Sequence, residues 1–135
     1  MCGIVSYVGQ RNATGVIVSG LQRLEYRGYD SAGVALYSSR RKTLARVRSV
    51  GKIAALVSRI ETDVPDHASL DYTMGIGHTR WATHGAPTEA NAHPHFSRSG
   101  EFAVAHNGII ENYAALKERL IRKGYVFTAK RTRKF

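Results

Sequence analysis

The stretch Ala32-Gly33-Val34-Ala35-Leu36-Tyr37, followed by Ser38-Ser39-Arg40-Arg41-Lys42 and then by Thr43-Leu44-Ala45-Arg46-Val47-Arg48-Ser49-Val50, decides the fold. Two runs of strand-forming residues flank five polar ones, which predicts a β-hairpin with a solvated, basic tip. Amphipathic helical patterns lie on both sides of it. Upstream, Ala13 to Tyr26 carries Ile17, Leu21 and Leu24 on one face, with Gly28 as a stop. Downstream, Ile53, Leu56, Val57 and Ile60 mark a second helix. A hairpin set between helices predicts a layered α+β domain rather than a regular βαβ array.

Further out, Cys2 to Gly9 reads as a buried strand ended by a glycine, and Thr62 to Ser69 as a loop. Met74 to His78 reads as a short strand. Thr79 to Gly100 forms a long loop holding Gly85, Pro87, Pro94 and three histidines, and loops of that length in compact domains carry function. Phe102 to His106 is a strand, Asn107-Gly108 a turn, and Tyr113, Leu116, Leu120 and Ile121 a third helix ended by Gly124.

Composition narrows the function classes. The chain has 135 residues, 43% hydrophobic and 22% charged, which suits a folded domain. No apolar run approaches the ~20 residues of a membrane helix, and the start lacks a signal-peptide pattern, so the expectation is a cytoplasmic protein without a membrane partner. The single cysteine excludes an internal disulfide and a Cys-x-x-Cys metal site. No G-x-G-x-x-G or Walker pattern supports nucleotide binding. Part of the net charge of +10 comes from the end of the chain, where Lys130, Arg131, Arg133 and Lys134 meet no acid. A basic module binding nucleic acid is the alternative that this charge raises.

Four segments carry candidate chemistry. Cys2 follows Met1 directly. Removal of the methionine puts a thiol and a free α-amine on one residue, and an amine of pKa about 7.7–8.0 can act as base toward that thiol. The competing reading is a small core cysteine in the first strand. Asn107 and Gly108 can aim a side-chain amide and a backbone N–H at one point as an oxyanion hole, or can form a tight turn. In Gly77-His78-Thr79-Arg80-Trp81-Ala82-Thr83-His84-Gly85, Arg80 can fork onto a carboxylate, with Trp81, Thr83 and His84 around it. The alternative is a surface loop. His78, His84, His93, His95 and His106 follow no recognised metal-ligand spacing. In Arg27-Gly28-Tyr29-Asp30-Ser31-Ala32-Gly33, a capping or turn role is expected for Asp30 and Ser31.

Together, in this order, Met1-Cys2-Gly3-Ile4-Val5, Leu24-Glu25-Tyr26-Arg27-Gly28-Tyr29-Asp30-Ser31-Ala32-Gly33, the Gly77–Gly85 segment and His106-Asn107-Gly108-Ile109-Ile110-Glu111-Asn112-Tyr113 closely resemble the N-terminal glutaminase domain of the glutamine–fructose-6-phosphate aminotransferases. The resemblance covers residues 1 to about 128 and implies a four-layer αββα sandwich with an N-terminal nucleophile, incomplete in this chain. It implies Cys2 as nucleophile toward the glutamine side-chain amide, its α-amine as base, and Asn107 and Gly108 as the oxyanion hole. It places Arg80 on the glutamine α-carboxylate, Thr83, His84 and Trp81 around the pocket, and Arg27 near Cys2. It implies no cofactor and no metal. The implied partners are glutamine, a sugar-phosphate isomerase domain absent from this chain, and a second copy in a homodimer.

Two departures from the family pattern follow. Ser6 replaces a family glycine, and a modest stability cost is expected if its hydroxyl is buried. After Thr128, the chain reads Ala129-Lys130-Arg131-Thr132-Arg133-Lys134-Phe135 where the family has Ser-Glu-Thr-Asp-Thr-Glu-Val. Thr132 thus stands at the family aspartate that binds the glutamine amino group. Codons can be chosen for this tail that, read one base later, give the family segment, so the expectation is a frameshifted, truncated product, which the gene sequence would decide. Such a chain is expected to be weak or inactive as a glutaminase, and its basic tail to be no evolved nucleic-acid site. A non-catalytic remnant is the other alternative.

Overall fold

The computed structural model describes residues 1–82 and 85–127. Strand β1 (Gly3–Val8) leads to helix α1 (Ala13–Arg23) and a 3-10 turn at Glu25–Arg27. The hairpin follows as β2 (Ser31–Ser38) and β3 (Thr43–Val50), then helix α2 (Ile53–Asp63) and strand β4 (Tyr72–Arg80). After a 3-10 turn at Glu89–Asn91 come the two-residue strands β5 (His95–Phe96) and β6 (Ala103–Val104), then helix α3 (Tyr113–Arg122).

Strands β1 to β4 form one antiparallel sheet in the order β1-β4-β2-β3. The last strand to arrive therefore sits inside, between the first strand and the hairpin. Side chains alternate across a sheet, so each strand offers one face to the helices. Val34, Leu36 and Val47 meet Ile17 and Leu21 of α1 and Ile53, Leu56 and Ile60 of α2 in the buried core. Gly77 lets α1 come close, since a Cβ there would lie 2.5 Å from the Ile17 side chain. Asn12 fixes where α1 starts. Its side-chain oxygen accepts the Gly15 N–H at 2.9 Å, and its amide nitrogen donates to the carbonyls of His67 and Ser69.

The opposite sheet face is partly covered by β5 and β6. The His93 carbonyl lies so close over Gly33 that a Cβ there would meet it at 2.2 Å, and Arg46 stacks on the Phe96 ring with 4.8 Å to its centroid. Beyond this small sheet no described residue covers the face at Ile4, Val8 and Met74, which are exposed.

The α+β expectation holds, and several boundaries move. The first strand is not buried throughout: Ile4, Ser6 and Val8 point away from α1 and are exposed. The Ser6 hydroxyl is therefore not buried, and the expected stability cost does not arise here. The first helix ends at Arg23 and tightens into the 3-10 turn rather than running to Tyr26. Strand β4 extends past the predicted Met74–His78 at both ends, because β1 and β2 hydrogen-bond it on both sides. The strand expected at Phe102–His106 contracts to Ala103–Val104, since its partner β5 has only two residues. Helix α3 forms where expected, but none of its residues is buried.

Candidate active site

The end of β4 gathers the candidate residues. Antiparallel pairing sets Gly3 opposite Thr79, so Cys2 emerges beside the strand end. There the Trp81 N–H donates to the Cys2 sulfur at 3.3 Å, and the thiol lies 3.7 Å from the Trp81 carbonyl. The Trp81 ring is 51% exposed and lies over Gly28, whose φ of 74° is a conformation that glycine adopts without strain. The amino terminus donates to the carbonyls of Arg27 at 3.3 Å and Gly28 at 2.9 Å. The Arg27 guanidinium contacts the Met1 sulfur. Arg27 therefore lies against Met1, the residue before Cys2.

Arg80 is nearly buried, and its guanidinium lies 3.8 Å from an Asp30 carboxylate oxygen. It also donates to the Ala86 carbonyl at 3.3 Å and the Gly85 carbonyl at 3.4 Å. Asp30 is more than the turn residue expected. One carboxylate oxygen accepts from the Ala82 N–H and the other from the Ser31 hydroxyl, while its backbone pairs with Arg80 and Gly51. It pins the backbone on which Trp81 sits. A local reading missed it because its partners lie about fifty residues away. The only available signal was an acid at the first turn before a central strand.

Two residues before Arg80, His78 is 1% exposed, and its Nε2 lies 2.7 Å from the Asn107 side-chain oxygen. Asn107 itself is exposed. Gly108 follows with φ of 150°, and a Cβ there would lie 3.2 Å from the His106 ring. His93 stacks on His78 with ring centroids 4.5 Å apart, and His95 meets His93 edge-on at 4.3 Å. Burial holds His78 and His95 below the ordinary histidine pKa. It takes His93 down to about 3, with the surrounding imidazoles and Arg80 adding to the effect.

The strand end thus brings Cys2, Arg27, Arg80, Trp81 and Asn107 onto one connected scaffold, with Gly108 adjoining. Thr83, His84 and the tail from Thr128 to Phe135, including Thr132, lie outside the described residues. Among the described residues no cluster of three or more His, Cys, Asp or Glu is spaced to hold a metal ion. No described helix is long and apolar enough to cross a membrane.

No family model matches the chain. Among curated proteins it is 57% identical over 129 residues to a glutamine–fructose-6-phosphate aminotransferase (isomerizing) of Pseudomonas aeruginosa, covering 96% of this chain and 20% of that one. Namesakes from Bacteroides thetaiotaomicron and Thermus thermophilus are 55% and 54% identical, each over 94% of this chain and 20% of their own. The chain thus spans about a fifth of the length of these relatives. Among solved structures, a glutamine phosphoribosylpyrophosphate amidotransferase from B. subtilis, complexed with ADP and GMP, superposes with a TM-score of 0.70 at 26% identity. A second, an allosteric regulatory enzyme of purine biosynthesis, gives 0.73 at 26%. Each match covers 94% of this chain and 26% of the solved one.

Proposed function

We propose that this chain, a relative of the N-terminal part of the glutamine–fructose-6-phosphate aminotransferases, carries the nucleophile end of a centre that hydrolyses glutamine to glutamate and ammonia. The observation that carries the reading is the bonding of His78–Trp81. Four consecutive residues hold the Cys2 thiol, the Arg80 guanidinium and the Asn107 amide on one rigid strand end. Fixing a nucleophile and a donor on one scaffold is what acyl transfer requires.

In this reading the Cys2 sulfur attacks the γ-carboxamide carbon of glutamine. The carbonyl oxygen gains negative charge and is met by the Asn107 amide N–H and the Gly108 backbone N–H. The α-amine of Cys2, freed when Met1 is removed, takes the thiol proton and returns it to the departing nitrogen. The C–N bond breaks, ammonia leaves and a γ-glutamyl thioester remains. Water then attacks the same carbon, the C–S bond breaks, glutamate departs and the thiol regains its proton. The carbonyls of Arg27 and Gly28 already receive an ammonium one residue from Cys2, which suits an amine working there. Arg80, Trp81, Thr83 and His84 belong to glutamine binding, and no cofactor or metal enters any step. Delivery of the ammonia to fructose 6-phosphate with an isomerizing partner region extends this reading from the relatives' names, and a homodimer extends it from the family resemblance.

On its own the chain is expected to release glutamate slowly or not at all, because among the described residues part of one sheet face and all of α3 lack a covering layer. The decisive test grafts residues 1–127 in place of the matched segment of the Pseudomonas aeruginosa relative. Glutamate release that Cys2→Ala abolishes supports the reading. A folded graft with processed Met1 and no release refutes it.

A further inference from the structure

Asn107 can serve an oxyanion only with its nitrogen, yet a carboxamide has two ends of nearly equal size. Which end faces outward is decided by what grips the inner end. Here the grip is His78 Nε2, 2.7 Å from the amide oxygen. An imidazole can hold that oxygen only if Nε2 carries the proton. The opposite tautomer accepts the amide nitrogen instead and turns the oxygen outward, where it repels developing negative charge.

One feature selects the first arrangement and two hold it in place. His78 is 1% exposed, and its Nδ1 is buried with no hydrogen-bond partner among the described residues. A proton on Nδ1 strands a buried donor, whereas a proton on Nε2 leaves only a lone pair unmatched. Second, His93 lies over His78, with 4.5 Å between centroids and 29° between planes, which fixes the ring plane. Third, His93 Nδ1 accepts the His106 N–H at 3.4 Å, so the same stacked pair also holds the backbone one residue before Asn107. Both rings are desolvated and faced by Arg80, and both stay neutral at pH 7. The described polar groups give the Asn107 nitrogen no partner, and the residue is exposed.

We propose that His78 is a positioning residue for Asn107, its Nε2–H clamped beneath His93 and turning the side-chain amide so that the N–H groups face outward as donors. The purpose rests on the glutaminase reading; the orientation stands on its own geometry. The strand would then select the tautomer, the tautomer the amide, and the amide the sign of the charge the site can receive.

The test is nitrogen NMR on the full 135-residue chain at neutral pH, with histidine rings and asparagine amides labelled. The expected result is His78 in the Nε2–H form, and Asn107 side-chain amide resonances that move in His78→Leu. They return in His78→Gln, whose amide N–H reaches the same oxygen. An Nδ1–H tautomer, an imidazolium, or Asn107 resonances indifferent to His78→Leu in a folded variant overturns the proposal. If the leucine variant does not fold, the wild-type tautomer decides. In the grafted enzyme, His78→Leu lowers kcat by about 100-fold, the scale of losing one oxyanion donor, with KM little changed, and His78→Gln recovers most of it. A graft with no Cys2-dependent release ends the glutaminase reading, while the NMR result still judges the orientation.

Discussion

At the scale of single residues, Asp30 is the organiser that local reading undervalued. Its carboxylate faces a guanidinium only 9% exposed and also accepts the Ala82 N–H and the Ser31 hydroxyl. Removing a carboxylate from a nearly buried cation is costly. Asp30 is itself 23% exposed, so the cost falls below that of a fully buried pair. Asp30→Ala is expected to destabilise the chain by about 2 kcal/mol, read as a lowered urea midpoint. A double-mutant cycle with Arg80→Met should return a coupling of about 1 kcal/mol or more. Strict additivity would mean that the pair contributes nothing. The Cys2 start, the Asn107-Gly108 pair and Arg80 stand out in the sequence by residue type. Asp30 and His78 do not, because their roles depend on partners 52 and 29 positions away.

At the scale of elements, the Ser31–Val50 hairpin was legible almost residue for residue, since alternation and a polar turn are local signals. The length of β4 was not. Tyr72, Thr73, Thr79 and Arg80 lie outside the expected Met74–His78 run, and the strand extends through them by pairing with its two neighbours. The joint between the 3-10 turn and α2 was likewise invisible. Tyr29 Oη accepts the Ile53 N–H at 2.7 Å, which satisfies a donor in the first turn of α2, and it donates to Glu25. Tyr29→Phe is therefore expected to cost about 1 kcal/mol in thermal or urea unfolding. Burial and the Glu25 contact raise the Tyr29 pKa from 10.0 to about 12. The folded state then keeps a proton that the unfolded state loses, so this stabilisation holds below pH 10 and falls as pH rises toward 12. The stability gap between wild type and Tyr29→Phe should narrow over that window. A constant gap would mean that the phenol is not held protonated. Helix α3 gives the opposite case: its pattern was read correctly, but no described layer covers its apolar stripe. A ten-residue helix without buried side chains is marginal, so its amides should exchange orders of magnitude faster than those of α1, whose Ile17 and Leu21 are fully buried.

At the scale of the whole molecule, three imidazoles line the join between the main sheet and the small β5–β6 sheet, beside the Arg46–Phe96 stack and the His93 carbonyl over Gly33. His78 comes from β4, His93 from the loop, His95 from β5, and their rings pack in sequence across the seam. Arg46, Arg48 and Arg80 face the same seam, so a proton added to any of these rings is both desolvated and repelled. All three histidine pKa values lie below 6.5, and that of His93 lies at about 3. Below pH 6.5 the unfolded chain takes up protons that the folded chain refuses. Stability supplied by the seam is therefore present above that pH and is lost as pH falls. Each histidine that stays neutral contributes a slope of up to about 1.4 kcal/mol per pH unit. The Asp66 carboxylate, whose pKa is lowered from 3.8, adds its own acid dependence only nearer that value. The interval from about 6.5 to 4 thus reports on the seam. Urea midpoints measured across it should fall steadily, and His93→Phe, which keeps an aromatic ring in the stack, should flatten the fall. Midpoints that stay level until the carboxylates titrate would mean that the imidazoles are open to water and that the two sheets are not packed as one body.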